Sequence, residues 1–213
     1  LLYGEGHAYA NPLTGSGTEA SLERIGRDEL RAFHRTWFRP GNATLVVVGD
    51  VTLDELLPRL ERRFSGWEPA DVPRKNIAPV EHRPASAVYL LDRPEAEQSV
   101  IFAGHVAPPR ADDREVALQA MNSILGGTFT SRLTMNLGEE QHWSYGAFSL
   151  LFAARGQRPF EVYAPVQTDR TAESLTEIRT ELEGIAGPEP VRRDELEKIR
   201  ASEVRSLAGQ WET

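Results

Sequence analysis

Five histidines, His7, His34, His82, His105 and His142, are the side chains best suited to ligate a metal in this chain. None has another histidine three to five residues away, so no helical turn presents two imidazoles to one ion. That spacing predicts no metal site. Cysteine is absent, which removes thiolate ligands, disulfides and a cysteine nucleophile. A serine hydrolase needs a strained strand-turn-helix elbow of the G-x-S-x-G kind. Only Gly15-Ser16-Gly17 approaches that, in a loop with no strand before it. The two glycines of "ILGGTF" read as a helix C-cap and not as a phosphate cradle. What remains is "NLGEEQHWSYGAFS", Asn136 to Ser149. Tyr145 opens an apolar strand, from which its hydroxyl can reach a neighbouring cavity; a half-buried strand tyrosine is the competing reading. Glu139 and Glu140 read as solvated helix-end residues.

The elements that position these residues follow from periodicity. After a glycine- and proline-punctuated start, Leu30, Phe33 and Trp37 recur at i, i+3, i+7 and predict a helix over Asp28–Trp37. "ATLVVVGD" predicts a buried strand. Thr52 and Glu55 have capping-box spacing for the next helix, which Pro58 should kink or delay. Residues 71–85 lie in a proline-rich linker. Beyond it, "AVYLLD" and "QSVIFAG" predict strands, and Asp112 with Glu115 predicts a helix start, with Val116, Ala120, Met121 and Ile124 inward. "TFTSRLTMNL" predicts a short helix, "YGAFSLLFAA" and "FEVYAPVQT" two further strands. A helix from Thr171 and a final helix close the chain. The order ββααββαα predicts an α+β fold, an antiparallel sheet with helices packed on one face.

The 213 residues carry a formal charge of -8, which disfavours nucleic acid as a partner. No apolar run approaches the roughly 20 residues of a membrane span. The chain starts at Leu1 without a signal-peptide pattern and ends within a helical region, as a fragment would. Composition does not settle the compartment.

Taken together, "LYGEGHAYANPLTGS", "RPGNATLVVVGDVTLDEL", "DRPEAEQSVI", "NSILGGTFTSRLTMNLGEEQHWSYGAFS" and "DELEKIRASEVRSLAGQWET" resemble pitrilysin/insulinase-type zinc metallopeptidases, the enzymes of the inverted H-x-x-E-H motif. The resemblance covers nearly the whole chain in order. It implies a clamshell of related α+β lobes, with residues 1–70 the end of one lobe and 86–213 most of the next. No H-x-x-E-H occurs in this sequence. The resemblance therefore implies the non-catalytic, substrate-binding half, with zinc in a catalytic half on the same chain or a second subunit, and a peptide as substrate. It places a substrate-facing tyrosine at Tyr145. Seven residues earlier, where the family has an arginine, this chain has Gly138. Arg132 matches a separate arginine of the family pattern. The loss at Gly138 also admits a scaffold or assembly subunit of the same fold without a peptidase role.

Overall fold

The computed structural model describes residues 1–11 and 16–209. Gly15 of the Gly15-Ser16-Gly17 stretch, the rest of residues 12–15, and the "QWET" end at 210–213 lie outside the described residues. Backbone contacts divide the chain into two compact units, Tyr3–Asn76, and Leu1–Leu2 with the chain from Ile77 onward.

The Tyr3–Asn76 unit holds helices α1 (Glu19–Arg24), α2 (Arg27–Trp37) and α3 (Leu53–Phe64). Reciprocal caps start two of them. The Thr18 hydroxyl accepts from the Ser21 amide while Ser21 Oγ accepts from the Thr18 amide, and Thr52 and Glu55 do the same for α3. The helix α3 begins directly after Thr52 and continues through Pro58 to Phe64, so proline neither delays nor ends it. None of the three helices buries a residue. The "ATLVVVGD" run, expected as a buried strand, has no ladder partner among the described residues, and Val46 and Val48 are 80% and 77% exposed. A strand needs a neighbour for its amides and carbonyls, and none of the described residues pairs with this one. Among the described residues of this unit the buried ones are Tyr3 and His7, whose rings stack at 4.7 Å with Tyr9 edge-on to Tyr3. Burial, with a lesser contribution from Tyr9, pushes the Tyr3 hydroxyl up to about 12.

The second unit is the predicted α+β arrangement on a smaller sheet. Strands β1 (Gln98–Ala107), β2 (Phe148–Leu151) and β3 (Arg158–Gln167) form an antiparallel sheet of order β1-β3-β2. Helices α4 (Glu115–Asn122), α5 (Arg132–Thr134), α6 (Thr171–Ala186) and α7 (Arg193–Gly209) complete it. Both α4 and α5 widen into π-type turns, at Ser123–Gly127 and Met135–Glu140. The core gathers the inward strand residues Ile101, Val162, Ala164 and Val166 with Leu125, Leu133, Leu137 and Ile178 from the helical side.

Three sequence expectations fail here. "AVYLLD" forms no strand, and Val88 and Leu90 are 91% and 87% exposed. The helix expected from Asp112 begins at Glu115, because the Asp112 carboxylate instead accepts from the amide and guanidinium of Arg114. Val116, expected inward, faces solvent. The glycines of "ILGGTF" also have another explanation. A Cβ at Gly126 would lie 2.3 Å from the Ser149 amide nitrogen, so this residue lets the helical turn press against β2.

Two arginines tie the unit together. Arg158, with no exposed side-chain surface, donates to the carbonyls of Pro108 and Phe152 and to the carboxylate of Glu115. Arg132 donates to Glu195 and to the carbonyls of Glu189 and Pro190, fastening α5 to the start of α7.

Candidate functional site

The segment from Gly138 to Tyr145 is built by the end of the α5 turn. Met135–Glu140 closes with wide hydrogen bonds, Gln141 N to Asn136 O at 2.9 Å and Ser144 N to Leu137 O at 3.1 Å. His142 takes a left-handed backbone, φ 58°, which stops the helix, and its Nδ1 lies 3.1 Å from the Gly138 carbonyl. The chain then runs as a short bridge to β2. Ser144 Oγ donates to the Pro165 carbonyl at 2.7 Å and accepts from the Gly146 amide at 3.1 Å. Gln167 donates through its amide to Trp143 O and through Nε2 to His142 O, and Thr134 Oγ1 donates to Ala147 O. The backbone on both sides of Tyr145 is therefore anchored to β3 and to the α5 turn.

The tyrosine side chain is free on that anchored backbone. Tyr145 is 99% exposed and precedes β2, so it is not a half-buried strand residue. Its hydroxyl makes no hydrogen bond with any described residue, leaving one donor and two acceptor positions for a ligand. Glu139 and Glu140 are exposed at the helix end.

Gly138 lies against the peptide that precedes Tyr145. A Cβ built there points at the Ser144 carbonyl oxygen, 3.4 Å away, an ordinary contact. Its backbone is not in the left-handed region, so neither φ nor crowding requires glycine. An arginine at this position would leave the helix next to the peptide that carries Tyr145. The Arg132 guanidinium is committed to Glu195 and two carbonyls, and so does not stand in for that cation. Arg170, whose guanidinium lies 6.0 Å from the Trp143 ring, is paired with Glu173 and Asp169.

The described residues do not fit a zinc ion. No group of three or more His, Asp or Glu side chains converges among them. The His82 and His105 rings approach to 6.0 Å, but no third ligand joins them.

Residues 24–203 match the family described as the peptidase M16 inactive domain. The chain belongs to that family. Curated relatives of this M16 inactive-domain chain are named zinc proteases. One from Mycobacterium leprae, itself uncharacterized, is 28% identical over 191 residues, covering 87% of this chain and 41% of its own length. The zinc protease PqqE of Helicobacter pylori is 25% identical over 190 residues, 87% of this chain and 42% of its own. This chain thus spans about two-fifths of the length of the curated relatives it matches. The fold matches the crystal structure of a peptidase M16 inactive domain from Pseudomonas fluorescens with a TM-score of 0.79 at 22% identity, over 99% of this chain and 49% of that one. A protease from Helicobacter pylori gives 0.76 at 22% identity, over 91% and 47%. The resemblance drawn from the short motifs and the α+β lobe it implied are both confirmed by these matches. No helix among the described residues is long and apolar enough to cross a membrane.

Proposed function

We propose that this chain is the non-catalytic, substrate-binding half of a bipartite zinc peptidase, with Tyr145 facing the peptide. The observation that carries the reading is an unpartnered phenol, 99% exposed, on a backbone held from both sides. Such a donor meets a carbonyl or a developing oxyanion without the backbone having to reorganise. Zinc-dependent attack on the scissile bond would belong to the H-x-x-E-H half, on the same chain or a second subunit. The substrate would be an extended peptide paired to a sheet edge of that half.

Gly138 favours a second reading, a scaffold subunit that kept the fold and shed the chemistry. Restoring the cation separates the two, and the space beside Ser144 O admits the side chain. With the catalytic half present, Gly138→Arg is expected to raise peptide cleavage steeply, because arginine adds planar charge-assisted donors. Absence of cleavage of any peptide by both the wild type and the variant would favour the scaffold.

The Tyr3–Asn76 unit fits the end of a preceding lobe. Its helices bury nothing, and Leu45–Val48 is a bare apolar run. A unit of this size needs a core, and the relatives' greater length supplies residues to complete one. In the full-length protein the amides of Leu45–Val48 are expected to resist hydrogen exchange by orders of magnitude. Exchange as fast as in the isolated segment would rule out pairing there.

A further inference from the structure

The helices of the second unit cover one face of its sheet and leave the other bare. By register, Tyr163 of β3 stands between Phe102 and Phe148, and Glu161 between Gly104 and Leu150. Residues directly opposite in an antiparallel pair share a face, as do alternate residues along a strand. Val100, Phe102, Phe148, Leu150, Glu161 and Tyr163 therefore form one surface. Phe102 is 65% exposed, Val100 50%, Leu150 41% and Phe148 38%, and the Phe102 and Tyr163 rings lie 5.3 Å apart. Exposed apolar patches of this kind mark places where something docks.

One carboxylate sits within that surface. The Glu161 carboxylate makes no hydrogen bond or ion pair with any described residue, and the residue opposite it on β1 is a glycine. Partial burial in the sheet holds its carboxyl above the usual glutamate range. The interior of a permanent protein interface is depleted of charge, and covering a carboxylate without a cation is costly. The charge therefore favours a transient ligand that brings its own cation. The surface also adjoins the candidate site. The Phe148 ring packs over Gly146, where a Cβ would lie 2.6 Å from its Cζ, one residue from Tyr145.

We infer that this face binds the side chains of the peptide engaged by Tyr145, and that Glu161 selects a lysine or arginine flanked by nonpolar residues. The inference rests on the substrate-binding reading above. A lysine or arginine stem lies along Leu150 and Tyr163 while its charge meets the carboxylate, and the rings receive the flanking side chains and part of the cationic field.

The test uses the full-length protein with a chelator present to stop turnover. Fluorescein-labelled peptides, alternating Phe and Ala around a central Lys, norleucine or Glu, are titrated and followed by anisotropy. The Lys peptide is expected to bind about tenfold tighter than the norleucine peptide, with the difference shrinking at high salt. Glu161→Gln should erase that preference and leave norleucine affinity in place, and Glu161→Lys should turn it toward the Glu peptide. A Lys preference that survives Glu161→Gln, or is absent from the wild type, overturns the inference. So does failure of all three peptides to bind, as when a neighbouring lobe covers the face. Cleavage of the norleucine peptide by Tyr145→Phe is read separately. A preference that tracks Glu161 with turnover indifferent to Tyr145 keeps this inference and rejects the role of the phenol, and the converse rejects only Glu161.

Discussion

Replacing Tyr145 with phenylalanine is expected to lower peptide turnover by about two orders of magnitude with no change in thermal stability. The phenol is 99% exposed and bonded to nothing described, so its hydroxyl contributes nothing to the fold. Its contribution would arise only when a carbonyl becomes an oxyanion, where loss of one positioned donor typically costs ~3 kcal/mol of barrier. The measurement is kcat on a fluorogenic peptide with the catalytic half present, beside a melting curve. Equal kcat in variant and wild type would remove Tyr145 from the mechanism. A drop in melting temperature would instead point to a structural role that its exposure does not suggest. Because Gly138 leaves no second donor beside it, the variant should lose nearly all the assistance this segment gives.

The second large effect concerns Arg158. Exchanging this arginine for methionine is expected to destabilise the second unit by about 2–3 kcal/mol in urea denaturation, the order of cost of leaving buried carbonyls without their charged donor. The change leaves the carbonyls of Pro108 and Phe152 without that donor and the partly exposed Glu115 carboxylate with Gln119 as its remaining side-chain partner. Adding Glu115→Leu should recover part of that loss, since both charges are then gone. The pair also has an acid signature. The Arg158 guanidinium is the main cause that holds the Glu115 carboxyl below its usual range. Since the folded value is the lower one, the contribution is complete above the ordinary carboxylate range and is lost as pH falls toward the depressed value. Arg158→Met should therefore flatten the acid limb of the stability profile. An unchanged limb, or a loss under about 1 kcal/mol, would contradict the buried network.

Helices were largely legible because each carries its own signal. The i, i+3, i+7 spacing from Leu30 and the Thr52–Glu55 cap lie within single segments, and both appear in the structure. Strands were less so. "ATLVVVGD" and "AVYLLD" have strand composition, but composition records what a segment is suited to bury and not whether a neighbour is present. Tyr145 stood out from the residues of its segment, but its pairing with Gly138 came only through resemblance to a family pattern, and the structure sets Gly138 against the Ser144 carbonyl, in the peptide before Tyr145. Arg158 carries no local signal in the sequence, because its partner Glu115 is 43 residues away. Glu161 did leave a trace. In "FEVYAPVQT" it occupies the alternate positions with Tyr163, although nothing in that string says that the face they share lacks a helix layer.

The bare run from Ala43 to Val48 has a meaning beyond architecture. It contains six residues of strand composition with no charge, glycine or proline, the makeup of segments that stack into cross-β fibrils. Charged residues and prolines normally guard such an edge, and here they are absent from the run itself. The residues that we propose to pair with it would then act as a shield against fibril growth.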